Sequence, residues 1–333
     1  MHPMINPASS TSSSPPPASP PFRLGIDLGG TKTEIIALDA AGRELLRRRT
    51  LTPSGDYAAT LDLVIGLVHS AERELRGEGS VGIGMPGAES AVTGAIKNSN
   101  STCLNGRPFR RDIEERLGRH VRIANDANCF ALSEAVDGAG AGAHSVFGVI
   151  LGTGVGGGLV VKGELLVGAN AIAGEWGHNP LPLRADGDLP LADLPLPLCY
   201  CGRRACVETY LCGPALARDH EAAKAGSLSP AQIAQKAEQG DAACDATLGR
   251  YEERLARALA GVINLVDPEV IVLGGGLSNI ERLYRNVPKL WTRQVFSDHI
   301  ATRLVRNCHG DSSGVRGAAW LWGSTTGPQA PPL

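Results

Sequence analysis

Apolar residues along the chain form two similar patterns, each made of a strand, a glycine-rich turn and a second strand. The first pattern covers residues 24–38 and the second covers residues 145–161, and both are rich in β-branched side chains. Such runs around a short turn predict β-hairpins. The turns consist of Gly29, Gly30, Thr31 and Lys32, and of Gly152, Thr153 and Gly154. Two hairpins of one kind predict a duplicated α/β architecture.

Helical periodicity and one further strand complete the pattern. Residues 61–75 place apolar side chains at helical spacing, and residues 230–266 are predicted to be helical, with an apolar stripe in their last part, from Leu248 to Val266. Between the hairpins, residues 121–123 predict a strand that leads through Asn125 and Asp126 into a predicted helix over 127–135. A carboxylate at the end of a strand can point into a cleft from a rigid base. We therefore predict that Asp126 receives the reacting proton. One carboxylate between two phosphate-binding turns indicates a phosphotransferase.

The composition favours a two-lobed cytoplasmic protein. The chain has 333 residues, 43% of them hydrophobic, and a net charge of −2, so a nucleic-acid or membrane surface is not expected. Residues 1–21 are rich in Ser and Pro and lack the apolar segment of a signal peptide. We predict that they and the tail 324–333 are disordered. Eight cysteines without an export signal indicate reduced thiols in the cytosol, so metal binding is the first use to test.

The first turn has the chemistry of a phosphate site. Gly29 and Gly30 let the backbone approach closely, so successive N–H groups can converge on phosphate oxygens. Thr31 and Lys32 add a hydroxyl and a positive charge, and Asp27 would face the same space and could hold Mg²⁺ through water. A tight hairpin with an exposed lysine is the alternative, and this short motif alone leaves both open.

Other glycine patterns indicate how a nucleotide would bind. Residues 82–87 and 152–157 match the G-x-G-x-x-G spacing, but neither opens a helix as the dinucleotide fingerprint requires. No G-x-x-x-x-G-K-[ST] loop is present, so the hairpin turns are the predicted phosphate sites. Gly274, Gly275 and Gly276 follow the apolar strand 270–273. They offer a flat slot for adenine or, as the alternative, a plain strand-to-helix turn.

Two polar segments supply candidate sugar and metal ligands. Residues 97–105, rich in Asn and Ser, could present hydrogen-bond partners to a polyol or could simply be a turn. Farther along, three cysteines and one histidine match a closed structural zinc site, with buried thiols and a surface histidine as the alternative. The ligands would be His178, Cys199, Cys201 and Cys206, with Glu175 and Glu208 beside them. Zinc would order the loop 178–208, and the carboxylates would accept hydrogen bonds from sugar hydroxyls.

Taken together, these motifs resemble the ROK family of bacterial sugar kinases, within the actin-like and hexokinase-like ATPase superfamily. They appear in the family's order and spacing over residues 22–322, as DLGGTK, GIGMPG, NDAN, GTGVGGG, GEWGH, C-x-C-G…C-x-E and LGGGLSN. The resemblance implies a two-lobed fold of duplicated ribonuclease H-like domains. The implied lobes are residues 22–125, completed by a helix over 314–323, and residues 126–313. It also implies a homodimer, ATP with Mg²⁺, and a bound zinc.

The resemblance also implies a role for each matching residue. Asp126 resembles the catalytic base. The sugar-contacting set would be Gly87, Asn100, Asn125, Glu175, His178 and Glu208. The nucleotide set would be Asp27, Gly29, Gly30, Thr31 and Lys32, then Gly152, Thr153 and Gly154, then Gly274, Gly275 and Gly276. One departure is Ala205, where the zinc motif usually has Gly before its last Cys, although all four ligands remain.

The predicted activity is ATP-dependent phosphorylation of a hexose at its 6-hydroxyl. Segments 97–106, 173–182 and 309–322 most resemble bacterial fructokinases of the manno-fructokinase type, so D-fructose is the expected substrate. N-acetylglucosamine and glucose are the alternatives among hexoses. A non-catalytic, sugar-responsive transcriptional regulator of the same family is the alternative of another class. It would need an N-terminal DNA-binding domain of about sixty residues and would not need Asp126.

Overall fold

The computed structural model describes residues 20–182, 196–223, 225–310 and 313–323. Nearly all of the predicted N-terminal extension, the tail 324–333 and most of the loop between residues 181 and 198 lie outside the described residues. The strands are β1 Arg23–Leu28, β2 Lys32–Leu38, β3 Glu44–Leu51, β4 Ser80–Met85, β5 Ala88–Glu89, β6 Ile96–Lys97, β7 Val121–Asn125, β8 Ser145–Leu151, β9 Val155–Val161, β10 Glu164–Leu165, β11 Val270–Gly274 and β12 Arg303–Arg306. The helices are α1 Tyr57–Leu75, α2 Phe109–Leu117, α3 Asp126–Val136, α4 Glu208–Leu211, α5 Gly213–Ala222, α6 Pro230–Glu238, α7 Ala242–Val266, α8 Arg282–Trp291 and α9 Ser313–Trp320.

Each main sheet combines two antiparallel pairings, one of which is a predicted hairpin, with parallel strands. In the first sheet, ordered β3-β2-β1-β4-β7, β1 and β2 are antiparallel, whereas β1, β4 and β7 are parallel. In the second sheet, ordered β10-β9-β8-β11-β12, β8 and β9 are antiparallel, whereas β8, β11 and β12 are parallel. Both predicted hairpins and the duplicated α/β architecture are confirmed. The exact lobe boundaries stay a prediction.

Helix α1 shows how apolar spacing builds the first core. Its buried residues Leu61, Val64 and Val68 pack in one cluster with the strand residues Ile26 and Ile83. The helix begins four residues before the predicted stripe because the Asp56 side chain caps it, accepting a hydrogen bond from the Ala59 N–H at 3.0 Å. The apolar stripe thus faces the sheet and fixes the first layer of the fold.

The predicted helical region 230–266 consists of two helices. Helix α6 ends at Glu238, Gly240 has a φ of +90°, and Asp241 caps the start of α7 through the Cys244 N–H. A left-handed glycine followed by an N-cap side chain ends one helix and begins the next. The apolar stripe predicted within this region lies on α7, where Leu248, Leu255 and Leu259 are buried.

Helix α9 packs between the first sheet and α3 so closely that backbone atoms of the neighbouring elements are in contact. A Cβ added to Gly82 on β4 would lie 1.9 Å from the Ala318 carbonyl oxygen, and one added to Gly317 would lie 1.6 Å from the carbonyl oxygen of Cys129. Only glycine leaves room for such contacts. The last helix therefore joins strands that begin the chain to the helix that carries Asp126.

Within the described residues, no helix combines the length and apolar character that a bilayer crossing requires.

Candidate active site

The turn between β1 and β2 is braced from the end of β3. The Gly29 N–H donates to the Lys32 carbonyl oxygen at 3.1 Å, which closes the turn. Thr52 donates its hydroxyl to the Gly29 carbonyl oxygen at 2.8 Å and its N–H to the Thr31 carbonyl oxygen at 3.0 Å. Gly30, Thr31 and Lys32 are exposed. The structure thus presents a fixed turn whose open side can accept a phosphate group.

Asp126 begins helix α3 directly after strand β7. Asn125 caps this helix, accepting a hydrogen bond from the Ala127 N–H at 2.8 Å, and its side-chain amide donates to the Gly87 carbonyl oxygen at 3.3 Å. The Ala127 N–H also lies 2.7 Å from an Asp126 carboxylate oxygen. Residue Asp126 keeps an exposed surface at the cleft although protein groups crowd its carboxylate. A capped helix end therefore fixes the carboxylate, as the sequence predicted for the strand-to-helix junction.

Burial among protein groups raises the pKa values of both acidic residues near this junction. For Asp126, burial raises the pKa, the Ala127 N–H opposes this rise, and the Glu175 charge adds to it. For Asp27, burial and then the Asp126 charge raise the pKa to about 6. These carboxylates repel one another, and the cost falls on whichever ionises second. A site of this kind favours a divalent cation, so Asp27 fits its predicted role beside Mg²⁺.

The polar loop 97–105 is fixed by its own last residue. The Asn105 side chain accepts from the Ser99 N–H and donates to the Ser99 carbonyl oxygen, both at 2.9 Å. Gly87 has a φ of +85°, and a Cβ there would lie 2.5 Å from the Lys97 carbonyl oxygen. Asn100 is exposed on this loop. Gly87 therefore packs directly against the loop and accepts the hydrogen bond from Asn125, while Asn100 is exposed to solvent.

The second glycine turn lies against the third glycine segment. The Gly152 N–H donates to the Gly154 carbonyl oxygen at 3.0 Å, which closes the turn after β8. Gly275 has a φ of +78°, and a Cβ there would lie 2.5 Å from the Leu151 carbonyl oxygen. A Cβ on Gly276 would meet no atom within 4 Å. Because β8 and β11 are parallel neighbours, their glycine ends form one open surface where a nucleotide could lie.

Four side chains form a cluster that fits a tetrahedral metal. The ligand atoms of His178, Cys199, Cys201 and Cys206 all lie within 4.8 Å of one another. The Cys201 and Cys206 sulfurs are 3.7 Å apart, and the Cys199 sulfur is 3.5 Å from Nδ1 of His178. A tetrahedral zinc with bonds of about 2.3 Å to sulfur and about 2.05 Å to nitrogen places sulfurs ~3.8 Å apart and sulfur ~3.5 Å from nitrogen. The cluster therefore has the dimensions of a zinc site.

The backbone of this cluster contains one strained residue. Ala205, the position at which the sequence departs from the family motif, has a φ of +58°. A left-handed conformation is unfavourable for any residue with a Cβ, which explains why glycine suits this position. The Ala205 N–H and carbonyl oxygen are nevertheless both bonded, to Pro197 and Leu181. The departure thus changes local strain but leaves the turn intact.

The predicted sugar carboxylates connect the cluster to the rest of the site. One Glu208 oxygen accepts from the Val155 N–H at 3.0 Å, directly after the second glycine turn, and the other lies 3.8 Å from the Cys199 sulfur. Glu175 is exposed, and its charge acts on Asp126. The sequence predicted both carboxylates near the cluster, but it contained no sign of the link between Glu208 and the second turn.

His178 has two neighbours rather than one. Its Nδ1 faces the cysteine cluster, as predicted for a ligand, and its Nε2 lies 3.0 Å from the Tyr200 hydroxyl. Sugar contact by His178, the second predicted role, therefore competes with Tyr200 for Nε2. Sequence reasoning missed Tyr200, although its position between two ligand cysteines was a usable signal. It also missed Thr52, which no local motif marks.

Known proteins share both the sequence and the fold. The family model described as "ROK family" matches residues 23–325. The N-acetyl-D-glucosamine kinase of Photobacterium profundum is 41% identical over 89% of this chain and 98% of its own length. The protein of the same name from Salmonella gallinarum is 42% identical over the same shares of the two chains.

Solved structures agree. The ROK hexokinase from Thermus thermophilus matches with a TM-score of 0.78 at 31% identity, over 90% of this chain and 96% of that chain. A ROK family glucokinase from Streptomyces griseus, in complex with glucose and AMPPNP, matches with a TM-score of 0.70 at 26% identity, over 90% and 98% of the two chains. The predicted hexokinase-like fold is confirmed.

The predicted fructokinase subgroup is not supported, because the relatives named above are N-acetylglucosamine kinases. Two residues of the three motifs have partners within the fold. Asn105 in the first motif braces its own loop, and Ser313 in the third bonds the buried carboxylate of Glu134 at 2.8 Å. These two residues therefore have structural roles in the fold. From its family match and its fold, we conclude that the chain belongs to the ROK family and has the architecture of that family's sugar kinases.

Proposed function

We propose that this protein is an ATP-dependent kinase that phosphorylates N-acetyl-D-glucosamine on its 6-hydroxyl group. The position of Asp126 carries the kinase proposal. This exposed residue lies at the capped start of helix α3, and its carboxylate interacts electrostatically with those of Asp27 and Glu175. The choice of sugar is supported by the names of relatives that are 41% and 42% identical over 89% of the chain.

In the proposed reaction, Asp126 orients the sugar hydroxyl and accepts its proton. The hydroxyl oxygen forms a bond to the γ-phosphorus of ATP, the bond from that phosphorus to the β,γ-bridging oxygen breaks, and ADP leaves. Because the transition state of phosphoryl transfer is loose, the base acts mainly as an orienter and late proton acceptor. The N–H groups of the turns at 29–32 and 152–154 would bind the phosphates. Mg²⁺, when bound near Asp27, would neutralise phosphate charge.

Zinc in this proposal has a structural role. Hydrogen bonding, first from the Arg203 backbone, lowers the pKa of Cys201 to about 6, whereas burial raises the pKa values of Cys199 and Cys206, so a bound cation would be needed to hold all three as thiolates. A thiolate-rich site with four protein ligands leaves no open position for a substrate. Zinc would therefore order the segment that carries Glu208, whose carboxylate bonds the Val155 N–H. A cytoplasmic location and a homodimer remain predictions that follow from the reduced thiols and the family.

A coupled assay of ADP release tests the proposal. Purified zinc-replete protein with Mg-ATP would be given N-acetylglucosamine, glucose, fructose, mannose and N-acetylmannosamine in separate reactions. We expect kcat/KM to be at least tenfold higher for N-acetylglucosamine than for fructose. A preference for fructose would restore the original subgroup prediction and overturn the proposed substrate. Absence of turnover with every sugar would overturn the kinase proposal.

A further inference from the structure

Tyr200 is an aromatic residue with little packing role beside the candidate sugar site. It is 80% exposed, although it lies between the two cluster residues Cys199 and Cys201. Its ring meets the His178 ring edge-on, with centroids 5.1 Å apart and an interplanar angle of 84°. Its hydroxyl oxygen lies 3.0 Å from Nε2 of His178. Burial of apolar area therefore does not account for a tyrosine at this position.

The direction of the hydrogen bond between these residues follows from the chemistry of the cluster. Nδ1 of His178 faces the Cys199 sulfur at 3.5 Å and is the atom that would bind a metal. A metal-binding imidazole nitrogen carries no proton, so Nε2 carries it. Nε2–H must then donate to the Tyr200 oxygen. The Tyr200 hydroxyl hydrogen is left available for a second acceptor.

The second acceptor would lie on the sugar side of the cluster. The Glu208 carboxylate, a predicted sugar contact, lies 3.8 Å from the sulfur of Cys199, the residue directly before Tyr200. The Tyr200 hydroxyl accepts from His178, itself a predicted sugar contact, and keeps its own hydrogen free to donate to a sugar oxygen. His178 would orient the phenol, and the phenol would replace His178 as the group that touches the sugar.

We propose that Tyr200 is a substrate-contacting residue, whose hydroxyl donates a hydrogen bond to an oxygen of the bound sugar while it accepts one from His178. This inference rests on the proposed sugar kinase activity. It differs from a purely metal-positioning role, in which Tyr200 would serve only to fix the His178 ring.

The variant Tyr200→Phe separates these roles, because it keeps the ring and removes only the hydroxyl. We expect the KM for N-acetylglucosamine to rise about fivefold to tenfold, the effect of one lost hydrogen bond. The kcat should stay within about twofold, and the KM for Mg-ATP and the zinc content should not change. Tyr57→Phe is the matched control, because it removes a hydroxyl that bonds Asp112 at 2.6 Å instead. It should leave the sugar KM unchanged.

An unchanged sugar KM in Tyr200→Phe would overturn the proposal. So would a fall in zinc content measured by mass spectrometry, which would indicate a metal-positioning role. Calorimetric titration with N-acetylglucosamine keeps this test separate from the proposed activity. If the wild-type protein binds the sugar without turnover, the kinase proposal fails. The ratio of the sugar dissociation constants of Tyr200→Phe and the wild-type protein still decides the role of Tyr200. If the wild-type protein does not bind the sugar, both proposals fail.

Discussion

The carboxylate of Asp126 is, after burial, the main cause that raises the pKa of Asp27 to about 6. Asp27 lies near the end of β1 and Asp126 directly follows β7, and in the first sheet these two strands are separated only by β4. Two acids in one place cost free energy when both are ionised. The protein therefore carries a charge arrangement that is unfavourable without a cation, as expected for a site built for Mg²⁺ and phosphate rather than for stability.

The first prediction concerns this stability cost. The folded pKa of Asp27 lies above its ordinary value of 3.8, so the folded protein binds more protons than the unfolded chain between about pH 4 and 6. The contribution of protonated Asp27 to the free energy of unfolding should be fully present below about pH 4 and lost as the pH rises through about 6. In metal-free buffer at pH 8, Asp27→Asn should raise the free energy of unfolding by about 1–2 kcal/mol, after discounting for partial exposure.

Urea unfolding of the wild-type protein and Asp27→Asn at several pH values between 4.5 and 8 measures this difference. The gap should widen with pH and then level off above about 7. A gap that is the same at every pH would contradict the raised pKa.

The second prediction concerns Asp126. Asp126→Asn keeps the side-chain shape and an acceptor for the Ala127 N–H, but it cannot take a proton. We expect kcat to fall by about 10²–10⁴, with the sugar dissociation constant within about threefold of wild type. Single-turnover kinetics and calorimetry measure the two quantities. An Asn variant with near wild-type kcat would remove Asp126 from the proposed mechanism.

The third prediction concerns the strained residue in the zinc loop. Ala205 has a φ of +58°, so Ala205→Gly should relieve strain and stabilise the protein by about 0.5–1 kcal/mol. The loop should also retain zinc longer against a chelator, which a colorimetric zinc indicator can follow. Gly202→Ala is the opposite control, because Gly202 has a φ of +85°, and it should accelerate zinc loss. Faster zinc loss from Ala205→Gly than from the wild-type protein would contradict the prediction that strain at Ala205 weakens zinc retention.

The fourth prediction concerns the packing of α9. A Cβ at Gly82 would meet the Ala318 carbonyl oxygen at 1.9 Å, so Gly82→Ala must push α9 away from β4. We expect a loss of about 2–3 kcal/mol in unfolding free energy. Gly66→Ala is the matched control, since a Cβ there meets nothing within 4 Å on the exposed side of α1. It should be neutral or stabilising by up to about 1 kcal/mol. Equal effects of the two changes would contradict the packing.

Local patterns predicted much of the fold. The hairpin turns, the α1 stripe and the strand before Asp126 depend on neighbouring residues, whose periodicity and turn chemistry are visible in the sequence. The cysteine spacing predicted the cluster for the same reason. The predicted helical region 230–266 is helical except for a short break, and Gly240 and Asp241 carry the stop and start signals that divide it into α6 and α7.

Contacts between distant segments could not be predicted. The bond from Val155 to Glu208 joins residues 53 positions apart, and the raised pKa of Asp27 depends on Asp126, from a strand far along the chain. The expected fructose specificity, which the comparisons do not support, rested on such local motifs. Two of the motif residues, Asn105 and Ser313, are fixed by partners within the fold, a role that the motifs alone did not indicate.

One competition experiment tests the central claim most directly. Wild-type protein would receive Mg-ATP and an equimolar mixture of N-acetylglucosamine, glucose and fructose, and ³¹P and ¹H NMR would identify the phosphorylated sugar and the oxygen that carries the phosphate. We predict N-acetylglucosamine 6-phosphate as the dominant product, absent when Asp126→Asn replaces the wild-type protein. A mixture dominated by fructose 6-phosphate or glucose 6-phosphate would contradict the proposed substrate, and no phosphorylated sugar would contradict the kinase itself.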